Sequence, residues 1–173
     1  MNKFNECKNQ DLVFNGCNKK LMIFCCHHKV GTSWFSNVLS HVATEFNLHL
    51  QYSDQTYIHS DTDIFFDDHS RLNLENLYDY RGVHLIRDPR DIIVSGYHYH
   101  KWTTESWANE PQDHWNGKTY KEKISSLLNE DALLFEMDHV GRETIDELIN
   151  WDYRNNKFLE IKYEDLLTKQ NDL

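Results

Sequence analysis

The stretch Leu21–Leu39, LMIFCCHHKVGTSWFSNVL, decides the fold. Its first six residues, Leu21 to Cys26, form a continuous apolar run of strand length. A polar turn, His27 to Ser33, follows, and apolar residues then return at helical spacing: Trp34, Phe35, Val38, Leu39 and Val42. The pattern reads as buried strand, tight loop and amphipathic helix. At such a junction the loop amides and the unpaired N–H groups of the first helical turn converge, and the helix dipole adds partial positive charge. Lys29 contributes a full charge, Gly31 allows close backbone approach, and Thr32 and Ser33 offer hydroxyls. A phosphate, or a group shaped like one, is the ligand this loop suits.

Working outward, further strands are expected at Leu48–Tyr52, at Ile64–Asp68 (ending at His69), at Gly82–Ile86 and at Lys157–Lys162. Short elements are expected at Asp11–Phe14 (strand) and Leu72–Tyr80 (helix). Asp88-Pro89 supplies an N-cap and an N1 proline, so a helix should start there, with Ile92, Ile93, Gly96 and Tyr97 as its packing face. Residues 101–119 read as a long irregular loop of the kind that often forms a substrate wall. A single helix from Asn129 or Asp131 should put Leu133, Met137, Val140, Ile145, Leu148 and Ile149 on one face, and Glu164–Lys169 begins a last helix. Strands alternating with helices give an α/β fold, with a mainly parallel central sheet flanked by helices on both faces. The organisation expected is a polar N-terminal segment, 1–20, and one α/β domain over 21–173.

The chain has 173 residues, enough for a real core, and a net charge of −10. That balance argues against general nucleic-acid affinity, which needs many phosphates neutralised by Lys and Arg, but a local pocket can still hold one small anion. No apolar stretch approaches the ~20 residues of a membrane span. The N-terminus, MNKFNECKNQ, lacks the apolar core of a secretory signal, so a cytoplasmic location is expected. All four cysteines lie within the first 26 residues and match neither a metal spacing nor a disulfide framework. Buried reduced thiols are the plainer reading. His98 and His100 do not face each other on a helix, and Cys25-Cys26-His27-His28 has no intervening ligand loop, so no metal is expected.

Ligands of such sheets bind beyond the carboxyl ends of the strands. Three strand ends carry suitable groups: the first loop, His69, and Arg87. In LIRDPRDIIVSGYHYH, residues 85–100, Arg87 leaves its strand and Ser95 follows about two turns into the next helix. A guanidinium and a hydroxyl so placed can grip a second phosphate. Equally, Arg87 can pair with Asp88 or Asp91 while Ser95 merely packs.

Taken together, HKVGTSW at 28–34, RDPRDIIVSGYHYH at 87–100 and IKYEDLL at 161–167 resemble the sulfotransferases that use 3′-phosphoadenosine-5′-phosphosulfate (PAPS). The resemblance runs from about Leu21 to Leu167. It implies a P-loop-like nucleotide-binding architecture. Lys29, with Val30, Gly31, Thr32 and Ser33, would hold the 5′-phosphosulfate. Arg87 and Ser95 would hold the 3′-phosphate. Trp34 would pack on adenine, although a tryptophan at helix spacing is often plain core, and Tyr163 would touch the adenine edge or simply close a strand. The reaction implied is in-line sulfuryl transfer to a hydroxyl or amine, with a loose transition state stabilised by position and charge. Lys29 would offset charge on the leaving oxygen.

A base must take the acceptor proton. His69 is the expected base, emerging at the same sheet edge as Lys29. Cytosolic members of the family place lysine and threonine before the base histidine, whereas Asp67 and Asp68 stand here. An adjacent carboxylate can orient an imidazole and raise its pKa. His59 is the next candidate, then His28 and His98. The resemblance also implies a glycine-rich, basic segment beyond the Tyr-Glu-Asp block, so the domain is expected to be truncated at its C-terminus. A P-loop kinase is disfavoured because Lys29 precedes Gly31 instead of following a glycine. A non-catalytic nucleotide-binding module is the other alternative. The acceptor that the resemblance implies is a small molecule or glycan, with no choice among steroid, phenol, lipid or glycan. Trp102, Trp107, Trp115 and Tyr120 could line its pocket or pack down as a satellite core.

Overall fold

In the computed structural model, the described residues are 20–52, 58–75, 77 and 79–168, so the strand expected at Asp11–Phe14 lies outside them. The chain divides into two compact units, Met1–Ile86 with Trp151–Leu173, and Arg87–Asn150.

The first unit is built on a five-stranded sheet. β1 (Leu21–Cys25) leads through the loop to α1 (Thr32–Glu45), and β2 (Leu50–Tyr52), β3 (Ile64–Asp67), β4 (Tyr80–Ile86), β5 (Phe158–Lys162) and α7 (Tyr163–Thr168) complete it. The order is β2-β3-β1-β4-β5 and every pairing is parallel. Burial in β1 alternates, with Leu21, Ile23 and Cys25 buried. They join Ile58, Phe65, Leu77 and Tyr80 in one apolar cluster. Phe24 points the other way, to the edge of the Phe35 ring on α1, where Phe35, Leu39 and Ala43 form the buried stripe. Trp34, expected on that stripe, is 41 % exposed instead.

Because the connections run outward from β1 and β4 in opposite directions, the sheet has its topological switch there, with the 27–33 loop at the carboxyl end of β1. The helix expected at Leu72–Tyr80 does not form. Among its described residues the segment is irregular, and Tyr80 already belongs to β4. The Asp67 carboxylate accepts the Leu72 N–H at 2.6 Å.

Helices make up the second unit: α2 (Pro89–His100), α3 (Ser106–Asn109), α4 (Tyr120–Ser125), α5 (Asn129–Asp138) and α6 (Val140–Asn150). Asp88 caps α2 by accepting from Arg90 N, with Pro89 at the first helical position, as the sequence predicts. The 101–119 segment is more ordered than a loop, containing α3 and a 3-10 turn at Asp113–Trp115. A capping box between Thr119 and Glu122 then starts α4.

The single helix expected from Asn129 is two, broken at His139 (φ −122°, ψ −109°). The buried residues of α5 are Ala132 and Glu136, while Leu134 and Met137 are exposed, and so is Ile149 on α6. Glu136 sits in the core because His100 Nδ1 donates to it at 2.7 Å and Tyr120 OH at 2.9 Å. A Cβ at Gly96 would run into this carboxylate, so glycine makes its room. Trp115 packs on a cluster containing Tyr97, Tyr120, Ile124 and Ala132, which settles Trp115 and Tyr120 as satellite core. Trp102 remains exposed, and Trp107 lends its indole N–H to Glu105.

Candidate functional site

At the end of β1 the chain winds around one carbonyl. His27 O accepts from Val30 N at 3.1 Å and from the Thr32 hydroxyl at 3.2 Å. Lys29 (φ 61°) and Gly31 (φ 97°) are both left-handed. For lysine that conformation costs about 1–2 kcal/mol, and such strain concentrates at functional sites. Gly31 stands at the N-cap of α1, where no side chain caps the helix, so the first-turn N–H groups are left for another acceptor. A Cβ on Gly31 would lie 2.7 Å from Tyr163 Cε2. Tyr163 therefore packs against the loop, and both φ and contact require glycine. Ser33 is exposed, Lys29 and Thr32 are half-buried, and Val30 is buried.

The thiols beneath this loop are buried. Burial pushes Cys26 up to about 12, and Cys25 is raised well above its ordinary value by burial and by Asp67. Both are free, as the cysteine pattern suggests.

β3 ends beside β1, with Asp67 opposite Cys25 in register. Residues after each strand thus leave the sheet on one edge. Asp67 turns that exit by accepting from His69 N at 3.2 Å and Leu72 N at 2.6 Å, and burial holds its carboxyl above the usual range. The Ser70 hydroxyl, on a residue with φ 54°, ties the same turn to Cys26 O at 2.8 Å. The result sets the His69 ring parallel to that of His28, centroids 6.5 Å apart. His59 lies elsewhere, in the turn that enters β3 from its amino end. Asp67 thus builds the turn that carries His69.

Below the loop lies a polar chain that sequence reasoning missed. Glu160 Oε2 accepts from His84 Nδ1 at 2.6 Å, and His84 Nε2 meets His27 Nε2 at 2.8 Å. His27 and His84 are 1 % and 0 % exposed. Trp151 stacks on His84, 4.0 Å between centroids, and donates its indole N–H to Glu160 Oε1. The available signal was weak: a histidine inside the apolar run GVHLI and a glutamate inside KFLEIK. Only the β4–β5 register, His84 opposite Glu160, pairs them.

In the second unit, Arg87 is the first residue after β4 and Ser95 lies two turns into α2, both half-buried. The Asp88 carboxylate grips Arg90 at Nε and Nη2. The Arg90 guanidinium and the Arg90 N–H together hold Asp88 down at about 2. His98 is an exposed residue of α2. Among the described residues no cluster of three His, Cys, Asp or Glu side chains could hold a metal, and no helix is long and apolar enough to cross a membrane.

No protein-family model matches the chain, and no curated protein matches it in sequence. Among solved structures it is similar to mouse sulfotransferase SULT7A1 complexed with PAP, at 16 % identity and a TM-score of 0.52. That similarity covers 88 % of this chain and 54 % of the mouse protein, so the chain spans about half the length of its structural neighbour. The two share the α/β fold with its parallel central sheet.

Proposed function

We propose that this chain is a sulfotransferase that moves a sulfuryl group from PAPS to a hydroxyl or amine on a small-molecule or glycan acceptor. One observation carries the reading: the Lys29 loop, closed by Tyr163, shares a sheet edge with the His28–His69 pair. The uncapped start of α1 and the Gly31 position suit a tetrahedral anion. When bound, PAPS supplies the sulfuryl group and an adenosine bisphosphate leaving group.

In this reading the amides of Gly31, Thr32 and Ser33 and the Lys29 ammonium hold the 5′-phosphosulfate, Val30 keeps its N–H on His27 O and shapes the loop, and Lys29 stabilises charge that develops on the leaving oxygen. Arg87 and Ser95 hold the 3′-phosphate. Trp34, exposed beside the loop, offers a face to adenine, and Tyr163 an edge. His69 takes the acceptor proton, its backbone fixed by Asp67 and its ring set by the stack on His28.

Labelled PAPS offered with a panel of alcohols, phenols, amines and sugars tests the activity directly, and transfer to none of them would overturn it. Thermal stabilisation should be larger with adenosine 3′,5′-bisphosphate than with ATP; the reverse order would favour a kinase. His69→Ala should lower turnover about 10²–10⁴-fold and leave bisphosphate binding intact. A module that only binds nucleotide would have no turnover to lose. Arg87→Ala should weaken adenosine 3′,5′-bisphosphate far more than AMP, and equal losses would remove Arg87 from the 3′ role.

A further inference from the structure

The Glu160–His84–His27 chain plays no part in the reaction just described, yet it ends at the residue whose carbonyl organises the loop. Proton counting defines what it can do. An ionised carboxylate only accepts, so His84 Nδ1 carries hydrogen. The bridge between the two Nε2 atoms holds a single hydrogen at any moment. In the neutral pair, therefore, His27 Nδ1 is an acceptor. One added proton must leave both Nδ1 atoms protonated, whichever ring carries the charge. His27 Nδ1 then becomes a donor, and the net charge of the three side chains goes from −1 to zero.

The surroundings make that charge matter. His84 is faced by Glu160 from β5, by His27 from the loop, by the Tyr153 ring at 6.0 Å and by Cys25, its register partner on β1. Asp67 faces Cys25 from the other side. Every one of these groups is neutral or negative when the pair is neutral. Burial lowers the His84 pKa, which favours its neutral ring. A negative floor under an anion-binding loop opposes binding, and uptake of one proton from solvent removes the opposition.

We propose that Glu160, His84 and His27 form a proton-accepting floor beneath the 27–33 loop, so that the loop takes up an anion together with a proton. The three are positioning residues, acting on the ligand through the His27 carbonyl and through local charge. The proposal rests on the anion role of the loop.

Its test is titration calorimetry of the full chain with adenosine 3′,5′-bisphosphate, between pH 5.5 and 7.5, in buffers of different ionisation enthalpy. The ligand's own protonation is common to every protein compared, so differences report the floor. Wild type should take up more protons per ligand than His84→Phe, which keeps the stack on Trp151. Glu160→Gln should bind severalfold more tightly than wild type at pH 7.5, with a flatter pH profile; a merely structural glutamate would give weaker binding instead. If His84→Phe does not fold, the Glu160→Gln arm decides alone. Equal proton uptake and equal pH profiles in all three proteins would overturn the proposal while leaving the loop an anion site. Failure of wild type to bind the bisphosphate would overturn the loop reading and the floor with it.

Discussion

Each unit of this molecule buries a histidine against a glutamate, and the two pairs are nearly identical in geometry. His84 Nδ1 lies 2.6 Å from Glu160 and His100 Nδ1 lies 2.7 Å from Glu136, with both imidazoles fully buried. Their surroundings differ. Glu136 is 2 % exposed and shares its Oε2 with the Tyr120 hydroxyl, whose ionisation is pushed far up by burial and by that carboxylate. Glu160 keeps 29 % of its side chain accessible, and the far nitrogen of its histidine leads to a second imidazole, His27, at the start of the 27–33 loop. The first arrangement locks helices α2, α4 and α5 together. The second can accept a proton without being broken. One pair of residue types thus serves cohesion in one unit and, in the proposal above, proton uptake in the other, and solvent access with the next neighbour separates them.

The contrast can be broken by mutation. The largest effect is expected for Glu136→Ala, which strips an acceptor from two buried donors and leaves a cavity. Urea unfolding should show a loss of about 3–5 kcal/mol. Glu160→Ala, at a partly solvated site, should cost less, about 1–3 kcal/mol. Equal losses would erase the distinction between lock and relay.

A pH series sharpens it further. The His84 pKa is lower folded than unfolded, so the unfolded chain binds more protons below about 6.5. Its contribution to stability is therefore complete above pH 6.5 and declines as pH falls toward the folded value, by at most about 1.4 kcal/mol per pH unit. Asp67, raised by burial, acts with the opposite sign: its contribution is lost as pH rises from the unfolded value near 3.8 through the raised folded one. Subtracting the His84→Phe profile from the wild-type profile isolates the histidine, and a zero difference would contradict the assignment. The smallest effect belongs to Tyr120→Phe. It removes one hydrogen bond from Glu136 and should cost about 1 kcal/mol in the same unfolding assay.

Much of the architecture was legible because its signals are local. The run from Leu21 into α1 and the Asp88-Pro89 cap each depend on neighbours within a few positions, and each lies where the pattern predicts; the alternating burial of β1 is a finding of the structure, where the sequence reads as a continuous apolar run. Reading failed where the backbone departed from the pattern expected of it. The segment after Asp67 is irregular among its described residues, and a run whose apolar count looked continuous breaks at His139 into α5 and α6. Glu136 went unnoticed because periodicity counts apolar residues, and a buried carboxylate is invisible to it.

By itself, then, the sequence determined an α/β chain with a glycine-bearing, lysine-bearing turn between strand and helix, since backbone conformation and hydrophobic period are properties of adjacent residues. Only the tertiary structure decided that Tyr163 closes that turn, that His28 and His69 stack beside it, and that His84 and Glu160 meet below. Those partners stand up to 132 positions apart for Gly31 and Tyr163 (163 − 31) and 76 for His84 and Glu160. Contacts of that separation arise from strand order and register, which no local pattern encodes.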